Sequence, residues 1–349
     1  MFAQIEYPKN LLPEELDKYL ASGWFRMRQT IFTTNFLHFN QQFYSAIWLR
    51  VTLEQPIEDI KYQRLKKLNK SFRFEIKKAV NGGIGSKHEV LYQHYRQSIA
   101  FEVSPSLREL LYGTEGFNRF NTYEVDVYDG GLLIAAGFFD LGKNSAAGIT
   151  CIYHPDYKKY SLGKYLMYLK MDFCRQEKLQ YFYPGYMVPG YAPFDYKLDI
   201  GKASLQFLQL SSRQWLPYIS ANTFMSPLQE MVDKLAILQD CLSAANVDHA
   251  LLYYKFFEAN LDPYYFSNHL FDFPVFIQIR YKNPVFTMIV FDVCDGMYHL
   301  IRCSSVINTG FQQGAKPIFD ADLLKVEQLI FATALPEEMA KRISFLLQD

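Results

Sequence analysis

Paired cysteines, long apolar runs and a net charge are all missing from this chain. The five cysteines, Cys151, Cys174, Cys241, Cys294 and Cys303, include no C-x-x-C pair. Neither a disulfide framework nor a cysteine-held metal centre is therefore expected. No window approaches the roughly 18–20 consecutive apolar residues that span a bilayer, so no membrane partner is expected. The opening "MFAQIEYPKN" has no basic segment leading into an apolar run, and the chain reads as cytoplasmic with reduced thiols. Lys+Arg and Asp+Glu each number 36. A protein that coats nucleic acid non-specifically is usually basic overall, so any RNA contact must come from a local patch. What the chain does have is apolar and aromatic material: 50% and 17% of its 349 residues. That is enough for large cores and for two or three domains.

The most charged stretch is "KYQRLKKLNKSFRFEIKK", residues 61–78, with eight Lys/Arg against one acid, Glu75. At 100° per residue Leu65, Leu68, Phe72 and Ile76 share a stripe, flanked by Lys66, Lys70, Arg73 and Lys77, which predicts an amphipathic helix. Such a helix is an ordinary solvated face or a surface that offers cations to phosphates. "NGGIGS" at 81–86 is a turn or linker. From 123 the period changes to two. "YEVDVYDGGLLIAAGFFDL" reads as a hairpin around Asp129-Gly130-Gly131, and "AAGITCIYH" as a third strand. "SLGKYLMYLKMDFC" follows as a helix with Ser161 at its N-cap, and "LQYFYPGY" returns as a strand. A meander, a crossover helix and a strand point to an α/β sheet, whose strand ends favour ligands.

The run leaving that last strand, "YFYPGYMVPGYAPFDYK" (181–197), holds seven aromatic residues and three prolines, with charge only at Asp195 and Lys197. It suits a core strand with an outgoing loop, or the wall of a pocket. A further unit is expected from about 222, where Ser226-Pro227 with Gln229 marks a helix start. Helical patterns run on to about 258. Strands follow, folded at Asp295-Gly296, and residues from 320 to the end read as one or two helices.

Residues 140–197 resemble the arginyl- and leucyl-tRNA–protein transferases, the N-end-rule aminoacyltransferases. The resemblance is carried by Asp140, "YHPDYKKYSLGKY" (153–165), "YPGY" (183–186) and "DYK" (195–197). More diffusely, "GWFRMR" (23–28) and the basic "YQRLKKLNK" (62–70) are similar to stretches of the same family. The family's N-terminal cysteine cluster is absent, with Asn40, Phe43 and Ala46 roughly where cysteines would stand, and its Pro-Lys-Met before Asp-Tyr-Lys reads Ala-Pro-Phe here. Residues beyond about 220 have no counterpart in it.

The resemblance implies an α/β (α+β) fold of acetyltransferase-like, GNAT type. It would be built from an N-terminal lobe (1–90), a GNAT-like lobe (91–220) and an added α+β domain (221–349). It implies transfer of Arg or Leu from aminoacyl-tRNA to acceptor N-termini, acidic ones above all, with no cofactor and no metal. Tyr183, Tyr186 and Asp195 are the expected catalytic groups, and Arg26, Arg28, Asp140, Tyr196 and Lys197 the expected substrate contacts. Arg64, Lys66, Lys67, Asn69, Lys70 and Arg73 are the expected tRNA contacts. The ester is already activated, so the site chiefly has to align it with the amine, take a proton and steady an oxyanion. Two alternatives stay open: a coenzyme-A-dependent N-acyltransferase, and a degenerate RNA- or protein-binding module.

Overall fold

A computed structural model describes residues 1–54, 60–79, 84–99, 103–219, 226–265, 269–282, 285–310 and 317–348. The glycines of the 81–83 turn and the junction at 220–225 lie outside the described residues. Among those described, no helix is long and apolar enough to cross a membrane.

The chain opens with β1 (Ala3–Glu6), α1 (Pro13–Ala21), β2 (Phe25–Met27), β3 (Thr30–Thr34) and the hairpin β4 (Phe36–Phe39)–β5 (Gln42–Ser45). β1, β3 and β2 form a small sheet. Gly23, with φ +79, follows the C-cap residue Ser22 of α1. β6 (Ile47–Thr52), α2 (Ile60–Leu68), β7 (Arg73–Lys78), α3 (Ser86–Ser98) and α4 (Leu107–Tyr112) follow. Then come β8 (Thr122–Asp129), β9 (Leu132–Leu141), β10 (Ser145–Tyr153), α5 (Leu162–Gln176), β11 (Tyr181–Met187), β12 (Leu205–Gln209) and β13 (Gln214–Pro217).

These strands make one eight-stranded sheet in the order β13-β12-β6-β11-β10-β9-β8-β7. Only β10 and β11 pair in parallel, joined by the crossover helix α5. An antiparallel meander, a crossover helix and a parallel return strand are the GNAT-type arrangement expected from the sequence. β6 and β7 come from before residue 90, so the two expected N-terminal lobes share this sheet.

The expected helix over 61–78 is corrected. It stops at Leu68, and residues 73–78 form the edge strand β7, paired antiparallel to β8 from Arg73↔Tyr128 to Lys78↔Tyr123. "RFEIKK" fits period two as well as 3.6, and the ladder with β8 decides. Ser161 does occupy the position before α5, but in the left-handed conformation and without a side-chain cap.

The remaining unit contains α6 (Pro227–Ala244), β14 (Ala250–Tyr254), β15 (Val275–Lys282), β16 (Val285–Asp292), β17 (Met297–Asn308), β18 (Ile318–Phe319), β19 (Asp322–Thr333) and α7 (Pro336–Gln348). Its strands form a six-stranded sheet in the order β18-β14-β15-β16-β17-β19. Ser226 caps α6 as expected, its Oγ accepting from the Gln229 N–H at 3.3 Å. Two expectations are corrected here. Residues 250–254 and 322–333 are strands, because each pairs along a neighbour in the sheet.

The core of this unit reaches across the junction. Phe2 and Phe36, from the first elements of the chain, are buried in it beside Met231, Leu235, Phe257 and Phe271. Phe2 and Phe36 meet edge to face at 5.0 Å. Burying each such ring contributes about 1.5–3 kcal/mol, so the C-terminal unit is packed onto the rest through a shared core.

Candidate active site

β10 and β11 stay paired only from Ser145↔Tyr181 to Ala147↔Tyr183. On its other edge β11 pairs with β6 from Tyr181↔Thr52 to Met187↔Ile47, with a register shift between Phe182 and Gly185, and this pairing continues past the point where β10 leaves. β10 bulges between Gly148 and Thr150. The two strands therefore part, and backbone groups on the facing edges need other partners.

Two lysines supply them. Lys170, fully buried on the apolar face of α5, donates to the carbonyls of Phe138 at 2.9 Å and Thr150 at 2.8 Å and touches Cys151 Sγ at 3.3 Å. Gly137 leaves the necessary room: a Cβ there would lie 2.7 Å from Lys170 Cε. Burial lowers the Lys170 pKa. On the opposite edge, Lys197 donates from Nζ to the Tyr186 carbonyl at 2.6 Å. Its Nζ sits 4.7 Å from the Phe194 ring centroid and 5.4 Å from that of Tyr186. Burial brings the Lys197 pKa down to about 7. Gly185, at φ +90, takes a backbone conformation that L side chains rarely adopt, beside the ammonium.

The sequence allows an Asp195–Lys197 ion pair, and the structure contains none. Lys197 points into the fold, whereas Asp195 is exposed on the same 3-10 turn, Ala192–Asp199. Asp195 and Tyr196 line a cavity of about 890 Å³ together with Lys164, Met187, Asp199 and Tyr218. Tyr186 stacks on Phe194 at 5.6 Å and meets Trp48 edge on at 5.1 Å. Burial raises its hydroxyl pKa to about 12, helped by the charge of Glu258. Tyr183 is a core residue, 2% exposed and packed edge on against Trp215 at 5.5 Å.

Arg26, Arg28 and Asp140 are not brought to this cleft. Arg26 is buried and pairs with Asp140 at 2.9 Å, with further bonds to Thr122 Oγ1 at 2.9 Å and the Arg28 carbonyl at 2.6 Å. Burial raises the Asp140 pKa while Arg26 opposes it. The pair ties β2 to the meander and leaves no guanidinium free for a substrate carboxylate. Arg28 is exposed and pairs with Glu109 at 3.3 Å.

The basic residues divide in the same way. Asn69 is buried, donating to the Leu65 carbonyl at 2.9 Å and the Tyr160 carbonyl at 3.2 Å, so it fixes the end of α2 and faces no solvent. Lys66 pairs with Asp172 at 3.5 Å, and Arg73 with Glu75 at 3.1 Å. Arg64, Lys67 and Lys70 are exposed and have no ion pair among the described residues. Tyr62 stacks on Tyr168 of α5 at 4.4 Å, holding α2 against α5. Lys61 of α2 and Lys164 of α5 converge on Asp199 at 2.8 and 3.3 Å. Because Lys164 and Asp199 line the cavity, Lys61 at the start of α2 lies beside it.

Two groups of histidine and carboxylate come together among the described residues. His88, Glu124 and Asp126 form one, and the Lys77 ammonium already occupies it, 3.3 Å from Glu124 and 3.2 Å from Asp126. Asp292, Asp295 and His299 form the other, at a hairpin turn where both aspartates accept backbone N–H groups. Neither includes a residue of the cleft. Sequence reasoning missed Lys170 and Cys151. Lys170 had a signal, since it interrupts the apolar stripe of Leu166, Leu169 and Phe173 on α5.

A sheet that opens between a meander strand and the strand after the crossover helix is a GNAT-type arrangement. Residues 87–206, from α3 into β12, match the family model for arginine-tRNA-protein transferase, C terminus. An aspartate/glutamate leucyltransferase of Leptospira interrogans is 23% identical over 223 residues, 61% of this chain and 84% of that protein. One from Vibrio cholerae is 26% identical over 195 residues, covering 55% and 79%. Among solved structures, a tandem GNAT protein from the clavulanic acid biosynthesis pathway aligns with a TM-score of 0.30 at 10% identity. That alignment covers 57% of this chain and 58% of the other, less than two thirds of its length. Residues 87–206 are thus similar to the C-terminal part of the arginine-tRNA-protein transferases, and the likeness to the leucyltransferases extends beyond that segment.

Proposed function

We propose that this protein transfers the aminoacyl group of an aminoacyl-tRNA to the N-terminal amine of an acceptor protein, with the chemistry at the parting of β10 and β11. Lys197 carries the proposal. It is a buried lysine without an ion-pair partner among the described residues, its pKa lowered to about 7, beside a cavity whose mouth is flanked by cations. A base with a pKa near the working pH is well matched to an amine nucleophile.

The amine nitrogen attacks the ester carbonyl carbon, and the C–N bond forms as the C–O bond to the terminal ribose breaks. Neutral Lys197 keeps one N–H on the Tyr186 carbonyl and offers its lone pair to the proton leaving the amine. That proton passes to the departing ribose oxygen, so the products are an amide and a free RNA hydroxyl. Tyr186, protonated throughout the physiological range, is a hydrogen-bond donor, and Tyr196 and Asp195 line the adjoining cavity. Arg64, Lys67 and Lys70 meet RNA phosphates.

The names of the relatives favour leucine as donor and Asp or Glu at the acceptor terminus. With Arg26 paired to Asp140, recognition of an acidic terminus rests on other cations. A coenzyme A reading has less support, because the turn before α5 holds packed tyrosines and no glycine, the nearest being Gly163 in the first turn of α5. The test supplies leucyl-, arginyl- and other charged tRNAs with peptides beginning Asp, Glu or a neutral residue. Transfer to free but not acetylated termini is expected. No transfer from any charged tRNA would exclude the reading.

A further inference from the structure

Where the C-terminal unit meets the first strands of the chain, the fold leaves a separate cavity of about 360 Å³. Small-molecule pockets usually measure about 300–1,000 Å³. Both units supply its wall: Trp24 between α1 and β2, Asn35 between β3 and β4, Trp48 of β6, Leu208 of β12, Arg213 of the β12–β13 turn and Cys294 of the β16–β17 turn. None of these residues lines the larger cavity beside Lys197.

Some polar groups around it are already satisfied. Thr33 Oγ1 donates to the Gly23 carbonyl at 2.8 Å, and Gln209 Oε1 accepts from Ser212 Oγ at 3.0 Å. Asn35 differs. It is 7% exposed, its N–H donates to the Phe2 carbonyl at 3.1 Å, and its carbonyl accepts from the Ala46 N–H at 2.8 Å. Phe36, next in the chain, is buried in the shared core. The residue is therefore fixed, yet its side-chain amide borders the cavity with no hydrogen bond among the described residues. Trp24 behaves alike. Trp48 donates its indole N–H to the Thr34 carbonyl at 3.0 Å and Trp215 to the Ala21 carbonyl at 2.8 Å, whereas half-buried Trp24 has no such partner among the described residues. Arg213, exposed and held by its turn at φ +52, makes no ion pair among them either. It is the one charged side chain in the described lining.

Buried polar groups without partners are rare, and several gathered around one cavity leave room for a ligand that supplies the partners. All three groups can donate. A guanidinium fork matches a planar carboxylate, which has lone pairs left for the Asn35 and Trp24 N–H groups. One cation balances one negative charge, so a phosphate dianion is left half compensated. Trp24, Trp48 and Leu208 offer apolar surface to the rest of the ligand. We infer that this junction cavity binds a small carboxylate, held by Arg213, Asn35 and Trp24. The inference stands on the cavity and does not depend on the transferase reading. Such a carboxylate has two sources, the side chain of an acidic acceptor terminus or a free small acid. Trp48, which borders the cavity, meets Tyr186 edge on at 5.1 Å, so one ring joins the cavity to the wall of the transfer site.

Titration calorimetry with two matched pairs of probes tests this. Aspartate α-amide and asparagine α-amide represent the free acid, and C-terminally amidated peptides beginning Asp or Asn represent the acceptor. In at least one pair the carboxylate member should bind about ten- to a hundredfold more tightly than the amide, the usual worth of charge-assisted hydrogen bonds. Arg213→Gln, in an exposed turn where the fold does not depend on the side chain, should remove that preference and leave amide binding unchanged. Trp24→Phe, which keeps a ring and lacks the N–H, should weaken the carboxylate member several-fold. Loss of preference in the peptide pair assigns the cavity to the acceptor side chain, and loss in the free pair alone assigns it to a small acid. Equal binding within both pairs by the wild type would overturn the inference. A preference that survives unchanged in Arg213→Gln, or inorganic phosphate binding more tightly than either carboxylate, would overturn it as well.

Discussion

Arg26 and Asp140 face each other across 2.9 Å with side chains 1% and 0% exposed. The resemblance points to both as substrate contacts, and the residue types allow it. What the sequence does not convey is that β2 lies over the meander, which turns a solvated arginine into half of an internal pair. Breaking such a pair is unfavourable because one charge stays buried alone. Arg26→Met should lower stability in urea by about 3–5 kcal/mol, and adding Asp140→Leu should recover much of that stability. A single variant as stable as the wild type would contradict this account of the pair. Lys197 shows the converse. Its place in Asp-Tyr-Lys makes it a candidate, but its burial without an ion pair among the described residues follows from the parting of β10 and β11, whose residues are distant in sequence.

At the scale of elements, residues 123–187 were legible because each signal was local. A Gly-Gly turn, period-two strands and a period-3.6 helix follow one another, and the structure has them in that order. Residues 61–78 were not, because "RFEIKK" satisfies both periods and only its partner β8 selects the strand. The same holds for 250–254 and 322–333, whose strands depend on neighbours in the second sheet. The corrected elements change which cations remain for RNA. Lys66 and Arg73 are paired and Asn69 is buried, so Arg64, Lys67 and Lys70 are the free positions among the described residues. Changing those three to Gln should weaken tRNA binding and reduce the salt slope by about 0.7–0.9 for each phosphate that is no longer neutralised. An unchanged slope, read by filter binding across salt concentrations, would return α2 to an ordinary solvated surface.

The whole molecule joins two sheets through one aromatic core, with Phe2 and Phe36 packed among residues of the C-terminal unit. No short window of sequence announces that joining. The cleft, the cavity and the α2 cations together make Lys197 the centre of the proposed chemistry. A depressed lysine pKa means that the neutral base is present above about pH 7 and disappears as pH falls through that value. Single-turnover transfer from saturating charged tRNA to a peptide, followed from pH 5.5 to 9 in wild type and Lys197→Met, tests this most directly. The account predicts a wild-type rate that climbs through about pH 7. It also predicts a variant that binds tRNA normally but transfers about 10²–10⁴-fold more slowly, the usual worth of a general base. A Lys197→Met protein that transfers at the wild-type rate with the same pH profile would contradict it.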